Sequence, residues 1–147
     1  MTLNAIQKWQ QAARPSNAAD TSLALGIFLE EVAETLEEFE NADAKDGYTD
    51  LNAMRYYVKI LALALKNNDV RVKVKDDSRA NLTKELADVV VTAVGLGHTL
   101  DLDVPLACER VDRSNWSKFV DGMPLYNDHG KVIKGPGYVP ADMTGCY

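Results

Sequence analysis

Apolar residues recur with the period of an α-helix through most of the first 119 residues, and this pattern predicts an all-α fold. Asp, Thr and Pro are residue types that suit the exposed first turn of a helix. They occur where three of the predicted helices would start, at residues 20–21, 49–50 and 103–105. We therefore expect a bundle of four or five helices. The predicted helices cover residues 3–13, 20–42, 51–68, 78–100 and 104–119.

Two segments lack a helical period. Residues 69–77 alternate valine with lysine or arginine, a period of two that fits a short strand or a mobile loop. Residues 120–147 are rich in glycine and proline, which predicts an irregular C-terminal arm of turns and a short hairpin. With 147 residues and no internal repeat, the chain is expected to form one domain, a helical core over 3–119 followed by the arm.

The second predicted helix carries a concentration of negative charge on one side. Five glutamates fall within nine residues, and no lysine or arginine occurs between positions 15 and 44 to offset their repulsion. A solvated acidic face would explain this pattern. However, Leu23 and Ile27 fall on the same side, so we do not expect water along the whole of it. The glutamates are Glu30, Glu31, Glu34, Glu37 and Glu38.

The fourth predicted helix is apolar around most of its circumference, and we expect it to be almost wholly buried. A narrow polar stripe remains, and Glu85 and Asp88 lie on it three residues apart. Buried ionised carboxylates are costly unless they are paired or bound to metal. Lys84 lies at the edge of the stripe and is one cation able to reach them. A buried ion pair or an exposed edge is therefore the alternative to a metal site.

The carboxylates of these two helices together suit a hard divalent cation. With two oxygens from each of five side chains, Glu30, Glu31, Glu34, Glu85 and Asp88 offer up to ten donors, a set that fits Mg²⁺ or Mn²⁺. A di-iron bundle requires a histidine three residues after a ligand glutamate, and no such pair occurs. Zinc is disfavoured for the same lack of His and Cys ligands. A magnesium-type site commonly acts on a phosphorylated substrate.

Composition narrows the possible functions. The net charge of −6 gives no support for nucleic-acid binding through a basic surface. The sequence lacks a recognisable signal peptide and an apolar stretch of the roughly 18–20 residues that a membrane helix needs. Cys108 and Cys146 are not spaced as metal ligands, so a reduced, cytoplasmic protein without membrane partners is expected.

Two motifs give the chain a family resemblance. The pattern EExxE over 30–34, followed by ExxD over 85–88, resembles the MazG-like all-α nucleoside triphosphate pyrophosphohydrolases. The context KELADVVVTAVGLGHTLDLD is similar to the ELADV…G segment of that family. The segments VDRSNWSKF and DGMPLYNDHGKVIKGPGYVPADM resemble the arm of a phage- and bacterium-associated branch, with its xRSNxSK and dGKxxKGPxYxPPD motifs. The resemblance covers about residues 20–145.

This resemblance implies hydrolysis of a nucleoside triphosphate to the monophosphate and pyrophosphate, in helical subunits that pair as a dimer or tetramer. It implies that Glu30 contacts the metal-bound water or acts as the base, beside a magnesium site. It also implies that the arm meets the substrate, although spacing does not rank the remaining aromatic residues as stacking partners. The implied metal ligands are Glu31, Glu34, Glu85 and Asp88, and the implied substrate-binding residues are Asn115, Lys118, Lys134 and Tyr138.

The chain departs from the family pattern at three points. Fifty residues separate Glu34 from Glu85, a spacing that resembles the dimeric deoxyuridine-triphosphatases. Asp112 stands where this branch often has histidine, and VVVTAVG replaces an aromatic-containing run, so the base pocket is expected to differ. Two other functions stay open: a phosphoribosyl-ATP-type pyrophosphohydrolase with the same fold, and a non-catalytic acidic helical interaction module.

Overall fold

The computed structural model describes residues 3–13, 20–42 and 50–147, and these residues form five α-helices and one two-stranded hairpin. In the hairpin, β1 (Leu125–Tyr126) pairs antiparallel with β2 (Val132–Ile133). The all-α fold and the hairpin in the arm are therefore confirmed. The helices are α1 (Leu3–Ala13), α2 (Thr21–Glu37), α3 (Leu51–Lys66), α4 (Arg79–Thr99) and α5 (Val104–Trp116).

Aspartates cap three of these helices. The Asp20 carboxylate accepts hydrogen bonds from the backbone N–H of Ser22 and Leu23, at 2.9 and 3.2 Å. The carboxylates of Asp50 and Asp103 do the same at the starts of α3 and α5. Each cap satisfies backbone donors that have no partner inside the helix, which is why these three starts could be predicted.

The predicted end of α2 is wrong by five residues, since the helix stops at Glu37 rather than 42. Its last turn contains no basic residue and is followed by further acidic ones. Negative charge at the carboxyl end of a helix opposes the helix dipole, so continuation is unfavourable there. Helices α3 and α5 also stop two to three residues before their predicted ends, at Lys66 and Trp116.

The contacts within the chain group it into two compact units. One unit, Ala18–Val74, contains α2 and α3. The other, Met1–Asn17 with Lys75–Tyr147, contains α1, α4, α5 and the hairpin.

In the first unit, α2 and α3 pack closely along one another. Gly26 permits this approach, because a Cβ atom there would lie 2.9 Å from the carbonyl oxygen of Ala62. The side of α2 that packs on α3 carries Leu23 and Ala33, both buried. Ile27 is partly buried as well, so the expectation that water does not cover the whole acidic side is confirmed.

The sequence also places large apolar residues of α2, among them Leu25 and Phe28, on one stripe of the helix, which would be expected to pack. This apolar stripe lies on a different side of α2 from the contact with α3. Leu25 and Phe28 are 37% and 38% exposed. The reason is that the small Gly26 and Ala33, rather than the large apolar side chains, let the backbones of the two helices approach.

Residues 69–77 do not form a strand, so the strand alternative is wrong. In the described part of the chain, no strand pairs with this segment. The segment is tied to α2 instead, since the backbone N–H of Val72 donates to Oγ of the buried Ser22 at 2.9 Å.

In the second unit, α1 and the arm pack against α5. Trp9 and Ala13 are buried, and the Tyr126 hydroxyl donates to the Ala13 carbonyl oxygen at 2.6 Å. The chain end returns to the start of α5, because the N–H of Asp103 donates to the carbonyl oxygen of Cys146 at 2.8 Å. The arm is thus irregular in backbone yet anchored at several points.

The expectation that α4 is almost wholly buried is wrong for the single chain. Gly97 is its only buried described residue, and its leucines and valines are 40% exposed or more. Within its own unit α4 packs on α5, which leaves most of its circumference uncovered. In the described residues no single helix is long and apolar enough to span a membrane, although α4 and α5 together, bent by 117°, have the length and composition.

Candidate active site

The acidic side of α2 meets two lysines of α3. Glu30 forms a half-buried ion pair with Lys66, and the Glu37 carboxylate accepts a hydrogen bond from Lys59 Nζ at 3.0 Å. No residue of α2 itself indicates these partners. The sequence of α3 does contain an indication of these ion pairs. Lys59 and Lys66 are seven residues apart and therefore share one face of the helix. Glu37 is exposed, as expected of a solvated side chain, but it has a partner in Lys59 that the sequence did not reveal.

A small cavity of about 120 Å³ lies between these two helices. Both Glu30 and Glu34 line it, together with the two lysines. Glu34 itself is exposed, as is Glu31, whose carbonyl oxygen accepts a hydrogen bond from Thr35 Oγ1 at 2.8 Å. Glu30, in contrast to the exposed Glu31 and Glu34, is largely buried in its ion pair.

The pair on α4 is also associated with a lysine. Lys84 Nζ lies 3.1 Å from a Glu85 oxygen and 2.6 Å from an Asp88 oxygen. These contacts, with Asp88 first, hold the pKa of Lys84 above its ordinary value. Lys84 therefore reaches both carboxylates, as predicted. Because one ammonium group contacts both, the prediction that Glu85 and Asp88 share one side of the helix is also confirmed. All three side chains are more than half exposed, which favours the exposed-edge alternative over burial in the single chain.

The donor chemistry fits a hard divalent cation, although no complete ligand group forms in either unit alone. Among the described residues, no group of three or more His, Cys, Asp or Glu side chains is arranged to hold a metal ion. Each helix offers a carboxylate pair spaced by three residues, Glu31 with Glu34 and Glu85 with Asp88. Exposed carboxylate oxygens are the ligands that Mg²⁺ accepts, usually together with water and substrate phosphate.

The four predicted substrate-binding residues form one group in the second unit. Lys118 Nζ donates to Asn115 Oδ1 at 2.6 Å, and Lys134 Nζ lies 4.6 Å from the centre of the Tyr138 ring. The pKa of Tyr138 is lowered, first by a hydrogen bond with Ser114 and then by the charges of Lys134 and Lys118. The charges of both lysines therefore act on one phenol. We call Asn115, Lys118, Lys134 and Tyr138 the arm cluster.

Two serines on α5 and its end hold the arm in this position. The backbone N–H of Val139 donates to Ser117 Oγ at 2.8 Å, and Ser114 Oγ donates to the Val139 carbonyl oxygen at 2.7 Å. Both hydroxyls belong to the RSNxSK motif, yet no role was predicted for either serine. The motif could have drawn attention to these serines. Their partner Val139 could not be inferred from it, because Val139 lies 22 to 25 residues further along the chain.

A glycine permits a second attachment of the arm. The N–H of Gly135 donates to the Lys118 carbonyl oxygen at 3.1 Å. A Cβ atom on Gly135 would lie 2.7 Å from that oxygen and 2.7 Å from Val120 Cγ2, so no larger residue fits without movement. Lys134, its neighbour, is thereby fixed near the end of α5.

An open cleft of about 550 Å³ adjoins the serine attachment. Arg110 and Arg113 line it from α5, and Arg110 contacts Asp142 of the arm through both its carbonyl and its carboxylate oxygens. Neither arginine was predicted to belong to a functional site. Their spacing of three residues placed them on one face of α5 and was the signal available.

With this geometry established, the comparisons with known proteins define the family. The model of the phosphoribosyl-ATP pyrophosphohydrolase family matches residues 3–115, more than three quarters of the chain. The chain belongs to this family. It is part of the MazG-like all-α superfamily, as the sequence resemblance implied. No curated protein and no solved structure matches the chain.

Family membership supports nucleotide pyrophosphohydrolase activity in general, that is, hydrolysis of a phosphoanhydride bond. The match ends at residue 115, so the arm beyond it lies outside the family model. The phage- and bacterium-associated branch and the dimeric spacing stay predictions from the sequence.

Proposed function

We propose that this protein hydrolyses a nucleoside or deoxynucleoside triphosphate to the monophosphate and pyrophosphate, and so cleanses the nucleotide pool. The observation that carries the proposal is the arm cluster, where two lysines, an amide and a phenol meet in a chain of a pyrophosphohydrolase family. In a protein with a net charge of −6, such a group of cations and donors suits a polyphosphate.

We further propose that the carboxylates of α2 and α4 hold Mg²⁺, or Mn²⁺ in its place. Glu31, Glu34, Glu85 and Asp88 supply only oxygens, which is the chemistry these ions require. When bound, the metal supplies Lewis-acid polarisation of the phosphate. The arm cluster binds and orients the substrate phosphates, and Glu30 accepts a proton from the attacking water. Lys66 holds the Glu30 carboxylate in place through their ion pair.

A second candidate substrate is phosphoribosyl-ATP, and the family match favours it directly by its description. Both kinds of substrate carry a triphosphate on a pentose, so the same cations and carboxylates serve either reaction. A substrate panel that includes both therefore decides between them.

The exposed apolar side of α4 supports a homo-oligomer, either a dimer or a tetramer. Soluble chains rarely leave such a continuous apolar surface uncovered, and a second copy would bury it. We also propose a cytoplasmic location, in keeping with the free Cys108 and Cys146.

The test is pyrophosphate release in the presence and absence of Mg²⁺, over a panel of ribo- and deoxynucleoside triphosphates and phosphoribosyl-ATP. We expect Mg²⁺-dependent release from at least one of them. The isosteric changes Glu34→Gln and Asp88→Asn should each lower kcat/KM by about 100-fold or more, since a lost ligand costs several kcal/mol of transition-state stabilisation.

Glu40→Gln is the matched control, because Glu40 is exposed beyond the end of α2 and should leave kcat/KM unchanged. Full activity in both site variants would refute the carboxylate assignment. Inactivity on every substrate, with no metal binding, would favour the non-catalytic interaction module.

A further inference from the structure

The open cleft of about 550 Å³ beside α5 has more cationic than anionic side chains in its walls. Arg110 and Arg113 line it from one face of α5, and Asp142 of the arm is the one carboxylate among the described residues that line it. The other lining residues are two serines and small apolar residues of the arm, which add no charge. In a chain with a net charge of −6, a concave surface with an excess of cations suits an anion.

Arg110 is largely buried, yet its only carboxylate partner in the described part of the chain is a distant one. The Arg110 side chain is 24% exposed, and one of its N–H groups donates to the Asp142 carbonyl oxygen. The Asp142 carboxylate lies 3.9 Å from the guanidinium and accepts a closer hydrogen bond, of 2.9 Å, from the Thr144 N–H. A guanidinium has five N–H donors, so Arg110 has further donors for a ligand.

Arg113 offers a second guanidinium to the same cleft. It is exposed, and its guanidinium has no hydrogen bond or ion pair with another described residue. The hydroxyls of Ser114 and Ser117, which also line the cleft, are already engaged with Val139. A ligand would therefore meet the two arginines first, and guanidinium groups match the oxygens of a phosphate.

The cleft is separate from the arm cluster, although the arm contributes to both. None of the four residues of the arm cluster lines the cleft. Arg110 and Asn115 are five residues apart on α5, so their side chains leave the helix about 140° from one another. The family model ends at residue 115, so most of the lining of the cleft, Ser117 and residues 139–142, lies outside that model.

We propose that this cleft is a second anion site, which binds a phosphate group, either free or carried by a mononucleotide. The two guanidinium groups donate to the phosphate oxygens, and their charges balance that of a phosphate dianion. The site goes beyond the proposed function, because it contains neither the carboxylates nor the arm-cluster residues assigned to hydrolysis. Hydrolytic activity therefore does not decide whether the site exists.

Calorimetric titration of the full chain with orthophosphate, at constant ionic strength to keep screening equal, measures the site directly. Arg113→Gln should weaken binding by about tenfold or more, the effect of a charge-assisted hydrogen bond. Arg113→Lys keeps the charge but not the planar fork, so it should weaken binding by about threefold to fivefold. Arg79→Gln is the matched control, because Arg79 is exposed and does not line the cleft, and it should leave the affinity unchanged.

Asp142→Asn provides a variant in which binding should improve. It removes the one carboxylate from the cleft walls but keeps an oxygen that accepts from the Thr144 N–H. Orthophosphate should then bind about twofold to fivefold more tightly, because like-charge repulsion is gone. A gain of affinity cannot result from misfolding, so this variant tests the site even if an arginine variant is destabilised.

Lys134→Gln separates the cleft from the arm cluster, and its affinity for orthophosphate should equal that of the unmodified chain. Binding that is lost in Lys134→Gln and kept in Arg113→Gln would place the phosphate at the arm cluster and overturn the proposal. Equal affinities in Arg113→Gln, Arg79→Gln and the unmodified chain, or no binding at all, would also overturn it.

Two further ligands define what the cleft recognises. The loss of affinity caused by Arg113→Gln is compared for orthophosphate and adenosine monophosphate. An equal loss shows that the phosphate group alone is recognised, and a larger loss for the mononucleotide shows that its nucleoside also contacts the cleft. Acetate carries a single charge and should bind at least about tenfold more weakly than orthophosphate. Equal affinity for acetate would overturn the assignment to phosphate.

Discussion

Two glutamates of α2 each pair with a lysine of α3, but the two pairs differ in burial. The side chains of Glu30 and Lys66 are 25% and 17% exposed, whereas Lys59 is 65% exposed in its contact with Glu37. Charge left without a partner is more costly where water is partly excluded. We therefore expect Lys66→Met to lower the free energy of unfolding by about 1–2 kcal/mol, between the values typical of exposed and buried pairs.

Lys59→Met is the matched control for that change, because it removes the same charge from the same helix. It should cause a smaller loss, since Glu37 stays in contact with water. Urea unfolding followed by circular dichroism measures both variants. Equal losses would show that the burial of the Glu30 pair contributes nothing.

The Glu37 pair also gives a pH dependence. The hydrogen bond from Lys59 and then its charge hold the pKa of Glu37 below the ordinary value of 4.5. The pair therefore stabilises the fold above pH 4.5, and this contribution is lost as the pH falls through the lower folded-state pKa. In Lys59→Met, the pKa of Glu37 should rise towards its ordinary value in an NMR titration, whereas an unchanged value would exclude the pairing in solution.

At the scale of residues, local spacing predicted contacts well and long-range partners poorly. Lys84 lies one and four residues from the carboxylates it reaches, so helical geometry was sufficient. The partner of Glu30 lies 36 residues away on another helix. Nothing within the glutamate-rich segment specifies which helix packs on it, so the pairing required the structure.

Among the helices, the contact of α2 with α3 depends on the absence of a side chain at Gly26. A Cβ atom there would press on backbone at Ala62, which cannot rotate away as a side chain can. Gly26→Ala should therefore destabilise the protein by about 1 kcal/mol, because overpacking outweighs the better helix propensity of alanine.

Gly95→Ala is the same substitution in α4, at a position where nothing lies within 4 Å of the added atom. There only the better helix propensity of alanine acts, and we expect the free energy of unfolding to rise by about 0.5–1 kcal/mol. Thermal and urea unfolding should thus shift in opposite directions for the two variants. A shift in the same direction would refute the close approach of the helices.

The attachment of the arm to α5 makes a separate prediction for substrate binding. Ser117→Ala removes the acceptor of the Val139 N–H, and with it one constraint on Lys134 and Tyr138. KM should rise by about fivefold to tenfold, the effect of one hydrogen bond, while kcat changes less. Steady-state kinetics measure the split, and Ser117→Thr, which keeps the hydroxyl, should restore KM.

At the scale of helices, starts were predictable and packing sides were not. Asp20, Asp50 and Asp103 each cap a helix by accepting from a backbone N–H no more than three residues further along the chain. Such a local interaction can be recognised from the sequence alone. The side of α2 that packs on α3 depends on both helices. The large Leu25 and Phe28 suggested one side, but the close approach at Gly26 selected another.

For the whole molecule, the uncovered surface of α4 leads to a prediction about assembly. Val91 is 68% exposed in the middle of that surface. If a second copy covers α4, Val91→Glu places a charge in an apolar contact, and the dissociation constant should rise by about 100-fold or more. Light scattering coupled to size-exclusion chromatography should then show an oligomer for the unmodified chain and a monomer for the variant.

Met123→Glu provides the control, because Met123 is 67% exposed but lies on the arm rather than on α4. That variant should keep the oligomeric state of the unmodified chain. An unmodified chain that is monomeric at micromolar concentration, or a Val91→Glu variant that still associates, would exclude α4 as the contact. Activity measured on the same samples then tests whether the carboxylates of α4 require a second copy, since a monomer that keeps full kcat/KM needs none.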